Sequence, residues 1–106
     1  TTYMSAAGTN LAANSSSNYY NLFTIEGSNI RSVARDAELV GTNGSISFGA
    51  SGTNYTIARA GNNIRISYRS SWTTYYMRQS SNTAIGMSNN TSNRNWNLYI
   101  VTYDIP

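Results

Sequence analysis

The sequence predicts an all-β fold, an antiparallel β-sandwich or jelly-roll-like domain, on two observations. Short segments rich in β-branched and aromatic residues are separated by clusters of Gly, Asn and Ser at short, unequal intervals. Only one short stretch can be read as helical at all. At 106 residues the chain forms one domain, 1–106. It opens on Thr1-Thr2-Tyr3-Met4 with no charged-then-apolar leader, so it is expected to be the C-terminal part of a longer chain. Tyr103-Asp104-Ile105-Pro106 follow an apolar run directly, which reads as a true C-terminus finishing inside the fold.

Tyr19 to Glu26 is the first segment with strand composition. Ser32 to Leu39 reads either as a turn of helix capped by Gly41 or as a strand with an irregular edge. Ser45 to Phe48 and Tyr55 to Ala60 read as strands. Ile64 to Arg69 alternates most cleanly, with Ile64, Ile66 and Tyr68 inward and Arg65, Ser67 and Arg69 outward. Thr73 to Gln79 is a further strand, and Ile85 to Ser88 a weaker one. From Trp96 the chain is apolar on both faces: Trp96, Leu98 and Ile100 on one, Tyr99, Val101, Tyr103 and Ile105 on the other. Such a strand must be covered on both sides, by the centre of the sandwich or by a partner subunit.

The turns have their own signature. Gly, a small polar residue and Asn recur at Gly8, Gly27, Gly41, Gly52 and Gly61, and Gly and Asn tolerate positive φ. Two copies extend further, Gly27-Ser28-Asn29-Ile30-Arg31-Ser32 and Gly61-Asn62-Asn63-Ile64-Arg65-Ile66. The spacing is too uneven for a solenoid.

Composition narrows function. About half the residues are Ser, Thr, Asn or Gly, and all seven basic residues are Arg, with no Lys, His or Cys. That removes the ordinary general base near neutral pH and the thiolate nucleophile. No disulfide framework is possible, and no apolar stretch approaches the ~20 residues that span a bilayer, so no membrane insertion is expected. The four carboxylates, Glu26, Asp36, Glu38 and Asp104, are too few and too scattered for a pair of glycosidase type to be read from spacing, and each reads as an Arg partner. Zinc lacks its ligands, a calcium loop would need clustered oxygen donors, and no phosphate-binding glycine loop is present. No cofactor is expected. The Asn-X-Ser/Thr sites at Asn14, Asn43, Asn54, Asn89 and Asn90 are what this composition gives by chance.

What remains is recognition chemistry. Arg69 to Gln79 combines Trp72, Tyr75, Tyr76 and Arg78 with hydroxyls and an amide, and aromatic faces stack on sugar rings while Arg and amides bond hydroxyls and carboxylates. The polar loop Asn89 to Trp96 adds Arg94, Asn95 and Trp96. Reaching one end of the domain together, the two segments would form a single groove. Each also has a structural reading: Tyr75 facing the core, Trp72 covering a sheet edge, Trp96 anchoring the last strand. Arg interleaved with Tyr suits nucleic acid too, but a net charge of +3 without a single Lys argues against a phosphate-backbone binder.

A short β domain rich in Asn, Ser, Thr, Gly and Tyr, with no N-terminal leader and an apolar terminal strand, resembles the C-terminal receptor-binding tips of trimeric phage tail fibres and bacterial adhesive fibres. The resemblance implies a homotrimer displayed outside the cell or on a virion, recognising cell-surface glycan. The expected function is therefore non-enzymatic carbohydrate recognition. The alternatives are a structural filament or matrix subunit and a standalone secreted lectin.

Overall fold

The computed structural model describes residues 2–102. Ten strands follow in order: β1 Tyr3–Ser5, β2 Ala12–Asn14, β3 Phe23–Glu26, β4 Asn29–Ser32, β5 Ala37–Gly41, β6 Ile46–Gly49, β7 Thr56–Ala60, β8 Asn63–Ser70, β9 Thr73–Gln79 and β10 Ile85–Ser88. No α-helix occurs among the described residues. The strands form a β1–β2 hairpin and two four-stranded antiparallel meanders, β3-β4-β5-β6 and β7-β8-β9-β10. The all-β antiparallel expectation holds, and the meanders pack as a sandwich-like globule around Ile30, Leu39, Ile46, Tyr55, Ile66, Met77, Ile85 and Met87.

The hairpin closes one side. Leu11 N donates to Ile46 O of β6 at 2.8 Å, and Ala13 N to Thr83 O, just before β10, at 2.9 Å. Gly44 N, in the β5–β6 loop, donates to Met87 O of β10 at 2.9 Å. Small residues make this seam possible: Ser5, Ala6 and Ala13 are buried, and Gly86 lies against the Gly44 carbonyl with no room for a Cβ. At three residues each, Tyr3-Met4-Ser5 and Ala12-Ala13-Asn14 are too short to show an alternation, which is why β1 and β2 escape a reading of the sequence.

The two extended glycine echoes occupy equivalent places. Gly27-Ser28 and Gly61-Asn62 are two-residue hairpin turns whose glycines sit at φ 66° and 64°, the positive first position that a primed turn requires. Each turn opens a meander, and the registers coincide: Ile25↔Ile30 and Thr24↔Arg31 in the first, Arg59↔Ile64 and Ala58↔Arg65 in the second.

Three expectations change. Ser32 to Leu39 is not helical: β4 ends at Ser32, Val33 to Asp36 turn, and β5 begins at Ala37. Arg35 N on Ser32 Oγ (3.2 Å) and Asp36 at φ 50° close that turn, while Leu39 takes the buried place that period-2 alternation assigns it. Tyr19 to Glu26 is not one strand. Tyr19–Asn21 form a 3-10 turn in which Asn18 and Asn21 cap each other's backbone, and pairing starts at Phe23.

The apolar terminal strand does not form between 97 and 102. Trp96 makes one isolated antiparallel bridge to Ile64, and Leu98, Tyr99, Ile100 and Val101 are exposed. A strand needs a free edge, and β8 offers one only where β9 has left it. Tyr103 and Ile105 lie outside the described residues.

Candidate recognition face

β8 and β9 pair only from Ser67↔Tyr76 to Ser70↔Thr73, then part. The segment around Trp96 enters the gap like a wedge. Ile64 and Trp96 exchange both backbone hydrogen bonds at 2.8 Å, and on the other side Gln79 N donates to Asn93 O at 3.2 Å. Trp96 Nε1 donates to Met77 O at 2.9 Å, so the indole supplies a partner for a carbonyl that the parting would leave unpaired. Asn93, at φ 54°, provides the left-handed bend before the wedge.

Alternation sorts the side chains. Ile66, Met77 and Met87 face the core, so Arg65, Ser67, Arg69, Tyr76 and Arg78 share the outer face. The loop completes that face. The Arg94 guanidinium lies 4.4 Å from the Tyr76 ring centroid, a cation–π contact. Arg78 donates to Ser92 from Nε (2.9 Å, backbone O) and Nη2 (3.0 Å, Oγ), and Arg65 Nε donates to Asn95 Oδ1 at 2.8 Å.

Of the candidates read from the sequence, the structure brings Tyr76, Arg78, Arg94 and Asn95 together on this face. Tyr75 lies on the opposite side, stacked on Tyr68 at 5.3 Å between centroids and packed on the core. Trp96 pairs with core-facing Ile64 and packs inward. Trp72 stands apart at the β8–β9 hairpin tip, 90% exposed. Its preceding residue, Ser71, holds φ 56° where glycine would be usual, and Ser71 O accepts from Arg69 Nε at 3.3 Å. Arg65 and Arg69, legible as an outward pair but not among the glycan-binding candidates, join the face. Arg59 falls on the opposite face, in register with Ile64.

The other meander is electrostatically its inverse. Arg31 reaches Glu26 (3.2 Å), Asp36 (3.1 Å) and Glu38 (3.7 Å), so three carboxylates converge on one guanidinium. Glu38 Oε1 also accepts from Gly52 N at 2.6 Å. Arg35 serves structure, donating to the carbonyls of Ala6, Ala7 and Gly8 at 2.6–2.8 Å. No group of three potential metal ligands occurs among the described residues, nor does a helix long and apolar enough to cross a membrane.

A cleft of about 970 Å³ opens between the meanders, with Phe23, Ile25 and Ile30 on one wall and Ile64, Trp96 and Leu98 on the other. It lies on the core side of the wedge, behind the arginine-bearing face.

Comparison with known protein families, with curated proteins and with solved structures finds no match to this chain.

Proposed function

We propose that the chain is a non-enzymatic recognition domain that binds cell-surface carbohydrate, displayed outside the cell or on a virion as a homotrimeric fibre tip. The observation that carries this reading is Trp72: a large aromatic ring 90% exposed in the two-residue turn immediately before β9, at the end of a face bearing Tyr76, Arg78, Arg94 and Asn95. A structural Trp is seldom left so open, and an open aromatic ring is suited to stacking on the apolar face of a sugar. The non-enzymatic part is supported by the carboxylates. Glu26, Asp36 and Glu38 all converge on Arg31 as its ion-pair partners.

Association is supported by Leu98, Tyr99, Ile100 and Val101, a run of four exposed apolar side chains that a neighbouring copy would cover. The free edge of β3, which pairs only with β4, favours a second reading: a filament subunit that grows by strand addition.

The test is Trp72→Ala on a glycan array and in titration calorimetry. The reading expects binding to fall at least tenfold with the circular dichroism and thermal midpoint unchanged. A folded variant with undiminished affinity removes Trp72 from the site.

A further inference from the structure

We infer that the saccharide bound by the outer face of β7–β10 is anionic, carrying carboxylate or sulfate groups that are received by Arg65, Arg69, Arg78 and Arg94. This rests on the reading of that face as a carbohydrate-recognition surface and names the chemistry of what it takes.

Three observations carry it. First, the charge is unspent. Between Leu39 and Thr102 the sequence holds five arginines and no Asp or Glu, and every ion pair among the described residues belongs to Arg31. Four of those five arginines stand on one sheet face and its loop.

Second, the arginines are oriented without being neutralised. Arg65, Arg69 and Arg78 each donate from Nε to an uncharged oxygen, of Asn95, Ser71 and Ser92 respectively. Holding Arg65 and Arg69 through Nε leaves their Nη donors for a carboxylate or sulfate, and Arg78 keeps Nη1 for the same purpose while Nη2 donates to Ser92 Oγ. Fixing the side chain beforehand removes much of the ordering entropy that binding would otherwise cost. Arg94 is held differently, on the Tyr76 ring.

Third, the fold contains its own comparison. Arg31 and Arg65 occupy equivalent registers of two equivalent hairpins, yet Arg31 faces Glu38 across its strand pair, whereas Arg65 finds the Asn95 amide. The same device therefore appears once with its charge satisfied internally and once with its charge held open.

A polysaccharide fits better than a nucleic acid. Single-stranded nucleic acid needs a series of open rings on which bases stack. The only ring among the outward residues of β8 and β9 is Tyr76, and Arg94 already covers one side of it. The surroundings are hydroxyls and amides instead: Ser67, Thr74, Ser92 and Asn95.

The experiment titrates the intact chain with heparin (sulfated), alginate (carboxylated), dextran (neutral) and oligo-dT, at low and physiological salt. Arg65→Gln, Arg94→Gln and Arg59→Gln are measured alongside. The expected result is binding to heparin or alginate, at least tenfold weaker in Arg65→Gln and Arg94→Gln and unchanged in Arg59→Gln, whose charge is on the other face; which polymer wins distinguishes sulfate from carboxylate. Equal loss in Arg59→Gln would show diffuse attraction and overturn the site. Dextran binding that ignores Arg65 would overturn the anionic inference while leaving carbohydrate recognition standing. Preference for oligo-dT, or no binding to any saccharide, would overturn both.

Discussion

Tyr55 places a phenol in the core, 4% exposed, with its hydroxyl donating to Leu39 O at 3.0 Å. Burial raises its pKa from 10.0 to about 12, against the opposing pull of hydrogen bonds from Thr53 and the Gly41 backbone. In the unfolded chain the phenol titrates near its ordinary value. Below pH 10 both states keep the proton and the full stability is present. From pH 10 the unfolded state begins to release it while the folded state does not, so stability falls by about 1.4 kcal/mol per pH unit until the folded group itself titrates near 12. The total loss is about 3 kcal/mol.

Tyr55→Phe should separate the two contributions. At neutral pH the variant loses the bond to Leu39 O and becomes about 1 kcal/mol less stable. On the alkaline side it lacks the titrating group, so the two stability curves should cross near pH 11. Urea unfolding followed by circular dichroism between pH 7 and 12 measures both limbs. Tyr68, whose pKa burial also raises, leaves the variant a shallower slope of the same sign. Curves that run parallel to pH 12 would refute the assignment of the alkaline limb to Tyr55.

The seam between the meanders and the exposed apolar run give two further expectations. Gly86→Ala drives a methyl into the backbone carbonyl of Gly44, so the β5–β6 loop must move and release Met87 O; a cost of about 2–3 kcal/mol should appear as a lower urea midpoint. On the proposed association through the exposed run, Leu98→Ser with Ile100→Ser should give the mass of one chain by light scattering where the native chain gives that of three; equal masses for the two would remove this run from any subunit contact.

The elements that could be read in the sequence were those whose own residues decide their place. Ile64, Ile66 and Tyr68 alternate with Arg65, Ser67 and Arg69 because a half-buried strand imposes period 2, and Gly27 and Gly61 mark turns because positive φ excludes most other residues. What escaped depends on distant partners. Ala13 is buried only because β6 and β10 leave a slot for it, so nothing in Ala12–Asn14 announces a strand. Trp96 carried the signal of a terminal strand, yet pairs at a single position because β8 and β9 part over so short a length. At the candidate face, Tyr76 and Arg78 followed from alternation along β9. The approach of Arg94 to Tyr76, and of Asn95 to Arg65, follows from the wedge and has no local signature.

The equivalence of the two hairpins turns the charge argument into a one-atom test. Asn95→Asp replaces the neutral acceptor of Arg65 with a carboxylate of nearly the same shape, and so gives Arg65 the partner that Glu38 gives Arg31. Because the pair is exposed, the gain in stability should be small, about 0–1 kcal/mol. The effect on the face should be larger. One of its four positive charges is neutralised in place, and the added carboxylate repels an incoming anion, so affinity for an acidic polysaccharide should fall at least as far as in Arg65→Gln. Dextran cannot sense the change electrostatically and serves as the control. If the fold is unaltered and the acidic polymer still binds with native affinity, then Arg65 is an ordinary surface residue, and the difference between the meanders has no bearing on what the domain recognises.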